Sequence, residues 1–150
     1  MPKPDRPELI ERIAEIAASK RGRSLLVGGC VRDDIMGFTP KDFDMELFGI
    51  SETDVEVILR DAGASVVRCG RSFPVWKAWD ETMGQGEAID VALPRRERKA
   101  GLKHTDFSVQ LDPSLSFEDA SSRRDFTMNA IGLDPLTSEI LDPHQGRADI

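Results

Sequence analysis

The segment "DFDMELF", Asp42 to Phe48, alternates polar and apolar residues, and a period of two commits it to a β-strand with two unlike faces. Asp42 and Asp44 share one face, Glu46 continues their row, and Phe43 points the opposite way, into a core. Two carboxylates roughly 6–7 Å apart along a strand repel each other, and a divalent cation between them removes that cost. Oxygen-only ligands suit Mg²⁺, which needs few protein carboxylates because substrate phosphates complete its shell. Paired acids of this kind serve two-metal phosphoryl transfer. Taken alone, an Asp-x-Asp pair is usually no more than a solvated strand face.

A second strand, "EAIDVAL", carries one acid in an odd place. Ile89, Val91 and Leu93 form one face, which leaves Asp90 between Ala88 and Ala92 on the other. An acid there makes sense if that face opens on a polar site beside Asp42 and Asp44. Gly28 and Gly29 end the apolar run "SLLV" and open a short helix, "CVRDDIM". Without a Cβ the backbone can approach a ligand closely, and amides at a helix start favour anions such as phosphate. A glycine pair also serves as a plain tight turn. Arg32 and Asp33 follow one helical turn in, where they can pair with each other or face a ligand. Further on, "SSRRDFTMNA" supplies Arg124, whose guanidinium fork suits phosphate oxygens or a simple ion pair. Asp125 and Asn129 stand four apart and share a helix face.

The remaining pattern places these residues in a mixed fold. Leu9, Ile13 and Ile16 recur at helical spacing, with Asp5, Pro7 and Glu8 suiting the start of that helix. "SETDVEVILRDAG" reads as a second amphipathic helix capped by Ser51 and stopped by Gly63. "ASVVRC" and "FPVWKAW" read as strands, and glycines in "DETMGQG" suit a hairpin turn between "FPVWKAW" and "EAIDVAL". A charged loop from Pro94 to about Phe107, a helix near "SFEDASSRRDFTMNAI" and a small hairpin, "LDPLTSEILDP", complete the chain. Helices and strands do not alternate regularly, so an α+β sheet is expected rather than a doubly wound one.

The 150 residues suit a single domain. No apolar run reaches the ~20 residues that span a bilayer, and the N-terminus lacks a signal-peptide core. A cytoplasmic setting with reduced Cys30 and Cys69 is therefore expected. The net charge of -7 argues against a broad nucleic-acid grip, although "RRERK" and Arg123–Arg124 form local basic clusters.

"LLVGGCVRD", "KDFDMEL", "IDVALPR" and "RRDFTMNAIGLDP…EILDP" together resemble, in order and spacing, the head domain of class II tRNA nucleotidyltransferases and bacterial poly(A) polymerases. The resemblance runs from about Leu25 to Gly146. It implies a polymerase-β-like nucleotidyltransferase fold, with helices on a mixed, mainly antiparallel sheet. It also implies Mg²⁺ on Asp42 and Asp44, and Asp90 as the third acid, orienting or deprotonating the attacking hydroxyl. Gly28, Gly29, Arg32 and Asp33 would meet the triphosphate, with Arg124, Asp125 and Asn129 binding triphosphate and ribose. The loop from Arg95 to about Asp106 matches the family's mobile loop.

The implied activity is nucleotidyl transfer from CTP or ATP to the 3′ end of tRNA. Poly(A) synthesis is the alternative, as is a nucleotide-binding module without turnover. Poly(A) polymerases of the family carry two adjacent basic residues where this chain has Arg71 and Ser72, which favours CCA addition, or a split C- or A-adding enzyme, over poly(A) synthesis. The family's base-reading E-D-x-x-R helix and its neck, body and tail domains have no counterpart within these residues. The chain is therefore expected to be an excised head domain that chooses bases poorly and has little activity alone.

Overall fold

The computed structural model describes residues 6–40, 42–70, 73–99, 107–112, 114–121 and 130–149. Helix α1 (Glu8–Ser19) leads into strand β1 (Arg23–Val27), helix α2 (Gly29–Ile35) and strand β2 (Phe43–Phe48). Helix α3 (Glu52–Asp61) and strands β3 (Ser65–Cys69), β4 (Val75–Trp79) and β5 (Ile89–Ala92) follow. Strands β6 (Arg95–Lys99) and β7 (Phe107–Leu111), helix α4 (Phe117–Ser121), strands β8 (Gly132–Leu133) and β9 (Ile140–Leu141) and a 3₁₀ turn (Gly146–Asp149) complete it.

Among the described residues seven strands form one sheet in the order β3-β4-β5-β2-β1-β8-β9. Only β2 and β5 pair in parallel; every other neighbouring pair in the sheet is antiparallel. The α+β, mainly antiparallel architecture expected from the motifs is what the chain adopts. The β4–β5 hairpin forms as expected, but it is inserted so that β5 reaches back to β2, its neighbour in space and not in sequence.

Register explains how one sheet serves two purposes. Trp76, Val91, Met45, Leu26 and Leu133 stand opposite one another in turn across five strands. All five are buried, and they form a single core with Leu9, Ile10 and Ile13 of α1 and Val55, Ile58 and Leu59 of α3. Burying a side chain of this size is worth about 1.5–3 kcal/mol, and a slip of one residue would expose the whole row. The register is therefore firmly held. The adjacent row, Lys77, Asp90, Asp44, Val27 and Gly132, faces the other way. On that second face α4 covers one half, where Phe117 packs with Leu25, Val27 and Phe48. Among the described residues the half toward β4 stays open, with the side chains of Lys77 and Asp90 partly exposed.

Several local expectations need correction. The charged stretch expected as a loop contains strand β6, which pairs antiparallel with β7 at the end of that stretch, with Arg95 opposite Leu111 and Lys99 opposite Phe107. Ladder hydrogen bonds form whatever the side chains are, so a charged run can pair once it is turned back on itself. Residues 100–106 lie outside the described residues. Ser51 occupies the N-cap position of α3, yet its hydroxyl makes no capping bond to the backbone and instead reaches Asp54 Oδ2 at 3.0 Å. Gly63, with φ of 90°, follows the end of α3 as expected. Asp5 and the C-terminal part of the helix expected near "SFEDASSRRDFTMNAI" lie outside the described residues.

Candidate active site

Three chain segments meet at the open half of the second face. The apolar run of β1 ends at Gly28, whose φ of 75° and ψ of −145° turn the chain into α2. Gly29 then starts α2, and a Cβ placed there would sit 3.4 Å from the guanidinium of Arg32. Arg32 and Asp33 pair with each other, Arg32 Nη2 lying 3.1 Å from Asp33 Oδ1. On the neighbouring strand Asp42 and Asp44 are both exposed, flanking the buried Phe43.

These segments enclose a cavity of about 440 Å³ lined by Gly29, Arg32, Asp33, Asp42 and Asp44, together with Cys30 and Thr39. That volume lies in the ~300–1,000 Å³ range of ligand pockets. Asp42 and Thr39 also line a second hollow of about 780 Å³, bounded by Arg6, Glu8, Met83 and Glu87. Asp42 thus stands at the junction of two hollows and can be reached from both.

Asp90 is the direct register partner of Asp44 across the parallel β2–β5 pair, so the two acids are neighbours on one face. Asp90 stands beside that cavity and is not among the residues that line it. The Asp90 carboxylate turns to β4, where Lys77 Nζ donates to its Oδ1 at 2.9 Å. Among the described residues no cluster of three His, Cys, Asp or Glu side chains is close enough to hold a metal ion. The reason is electrostatic: a carboxylate opposite a like charge takes the cation on its other flank. Asp42 and Asp44 remain as a two-carboxylate set, and that set fits Mg²⁺, whose remaining ligands come from water and phosphate.

Of the other expected site residues, Gly28 shapes the turn without lining the cavity. Arg124, Asp125 and Asn129 lie outside the described residues, as do Arg71 and Ser72. Glu46, the next acid along β2, is 3% exposed and belongs to the sheet interior rather than the cavity. Lys77 was missed by the motif reading. Its signal lies in "FPVWKAW": the period of two sets it apart from the buried Trp76 and Ala78, as it sets Asp90 apart from Ile89 and Val91. Cys30 lines the cavity as an inert thiol, its pKa raised to about 11 chiefly by burial.

Residues 24–150 match the family model described as "Poly A polymerase head domain". Over 125 residues the chain is 35% identical to a Multifunctional CCA protein of Xanthomonas campestris pv. campestris, covering 83% of this chain and 28% of that protein. A Multifunctional CCA protein of Stenotrophomonas maltophilia is 37% identical over the same length and coverage. The chain thus spans less than a third of the curated relatives it matches. Among solved structures, the Bacillus stearothermophilus CCA-adding enzyme in complex with CTP superposes with a TM-score of 0.68 at 25% identity, covering 95% of this chain and 32% of that one. A Thermotoga maritima CCA-adding enzyme shares the fold, with a TM-score of 0.69 at 21% identity over 98% of this chain and 32% of that one. The motif order, the sheet and the family match agree, and the chain belongs to the poly A polymerase head-domain family.

Proposed function

We propose that this chain is the catalytic head of a tRNA nucleotidyltransferase of the CCA-adding type, transferring a nucleotide from CTP or ATP to the 3′-hydroxyl of tRNA. The observation that carries the reading is the shared cavity: one glycine turn, one arginine and three aspartates, Asp33, Asp42 and Asp44, face the same space. Relatives at 35–37% identity named Multifunctional CCA protein support it, as does the CTP complex of a neighbour with the same fold.

In this reading Asp42 and Asp44 hold Mg²⁺, which supplies charge neutralisation for the reacting phosphates. The turn at Gly28, the backbone amide of Gly29 and the guanidinium of Arg32 position the triphosphate, with Arg124, Asp125 and Asn129 assigned to triphosphate and ribose. Asp90 orients the attacking hydroxyl and accepts its proton. The chemistry is positioning and charge balance rather than a covalent intermediate. The position of Asp42 between two hollows favours transfer between two substrates over simple nucleotide storage. Poly(A) synthesis is the alternative product and uses the same head.

Thermal melting with Mg²⁺ and CTP tests the site. The melting temperature is expected to rise with both ligands present, and Asp42→Ala to lose that rise. Incorporation of labelled CMP into tRNA lacking its CCA, by this head joined to a relative's C-terminal domains, tests the reaction. A shift that survives Asp42→Ala, or binding without any incorporation, rejects the catalytic assignment.

A further inference from the structure

We propose that Lys77 is the built-in counter-cation of the acidic row: it holds Asp90 beside Asp44 and sets how tightly a divalent ion is taken. The inference rests on the metal-site reading above and deepens it.

Lys77, Asp90 and Asp44 stand in register on three adjacent strands, β4, β5 and β2. With strands about 4.8 Å apart, the Lys77 backbone lies roughly two strand spacings from that of Asp44, and the ammonium, bonded to Asp90 on the strand between, acts on Asp44 within a Debye length of ~10 Å at 0.1 M salt. Beyond Lys77 the row continues to Val67 on β3, and beyond Asp44 to Val27 on β1. Lys77 and Asp90 have side-chain exposures of 48% and 40%, so solvent and ions reach both. The hydrogen bond to Lys77 takes the Oδ1 of Asp90. The ammonium's pKa is raised, first by that hydrogen bond, then by the charge of Asp90, with a contribution from Asp44.

Two consequences follow for a chain that takes up divalent ions. With no ion bound, Lys77 offsets the repulsion between two acids placed directly opposite one another. When an ion arrives, the same positive charge opposes it. A purely structural lysine would affect stability and leave ion affinity alone.

Titrating the full 150-residue chain with free Mn²⁺, followed by electron paramagnetic resonance, separates these roles. Lys77→Met keeps the stem and removes the charge, and is expected to tighten Mn²⁺ binding about threefold to tenfold, the effect of one unit charge at roughly 8 Å in a wet site. Lys77→Arg keeps the charge and should stay within twofold of the parent, while Lys77→Gln reports the same loss of charge if the methionine variant folds badly. Asp42→Ala should weaken binding at least tenfold. If Asp42→Ala weakens binding while Lys77→Met and Lys77→Gln leave it unchanged or weaker, the role of Lys77 is overturned. If Asp42→Ala has no effect, the metal-site reading itself fails, and the role of Lys77 fails with it.

Discussion

Gly28 carries φ of 75° with ψ of −145°, a combination open to glycine and closed to residues with a Cβ. The ψ value matters as much as the φ. Asparagine tolerates the left-handed helical region, where ψ is positive, and so gains nothing over alanine here. Gly28→Ala and Gly28→Asn are both expected to cost about 1–3 kcal/mol. For a chain of this size that is a fall of about 2–4 °C in melting temperature per kcal/mol. An unchanged denaturation midpoint for either variant would show that the turn relaxes and that Gly28 is not required by its backbone. The residue scale is also where the motifs were most legible. Phe43 inward, Asp42 and Asp44 outward, and Asp90 apart from Ile89 and Val91 all follow from a period of two, and the side chains obey it. What that period cannot reveal is which strands lie beside each other.

At the scale of elements this limit becomes physical. β5 pairs with β2 across an inserted helix and hairpin, so Asp44 opposite Asp90 and Lys77 opposite Asp90 are consequences of register. Register is decided by the buried row Trp76–Val91–Met45–Leu26 on the other face, not by any local sequence signal. The same holds for the tie that closes the fold over the β4–β5 turn. Arg12 of α1 donates from Nε to Ala62 O at the end of α3, at 2.9 Å, and from Nη2 to Asp80 Oδ2. Asp80 also accepts from Thr82, through Oγ1 at 2.6 Å and the backbone amide at 3.0 Å. Its carboxyl is held below the usual carboxylate range, first by the Thr82 hydroxyl and further by the Thr82 amide and Arg12, against the opposing pull of burial. A carboxyl whose folded pKa is depressed contributes its full stability above the unfolded value near 3.9 and loses it as pH falls through the folded pKa. Asp80→Asn should therefore be less stable than the parent by about 1–2 kcal/mol at pH 7, Arg12 being partly solvated. The gap should begin to narrow below about pH 4 and close once the pH has fallen through the depressed folded pKa. Urea denaturation in steps from pH 7 down to about pH 2 follows the change, and a gap independent of pH would assign the loss to packing and not to charge.

For the whole molecule, the division of one sheet into a buried face and a half-open face decides where charge can act. The chain has 27 acidic against 20 basic side chains, and three of those acids line the candidate cavity. A polyanion approaching this head meets net repulsion, relieved only where a divalent ion sits on Asp42 and Asp44 or where arginines cluster. A nucleoside triphosphate is small enough to be held by those local features; a tRNA is not, because its affinity grows with the number of phosphates neutralised over a wide surface. The 150-residue chain is therefore expected to bind CTP with Mg²⁺ while showing no saturable binding of tRNA tighter than about 10 µM at 150 mM salt. Fluorescence anisotropy of labelled tRNA, repeated at 50 mM salt, measures this directly. A sub-micromolar complex whose affinity falls steeply with salt would mean that basic side chains gather into a continuous stripe despite the net charge of -7, and that the head grips RNA by itself. A weak complex at both salt concentrations, alongside measurable CTP binding, would mean that the acidic surface confines this head to its small substrate.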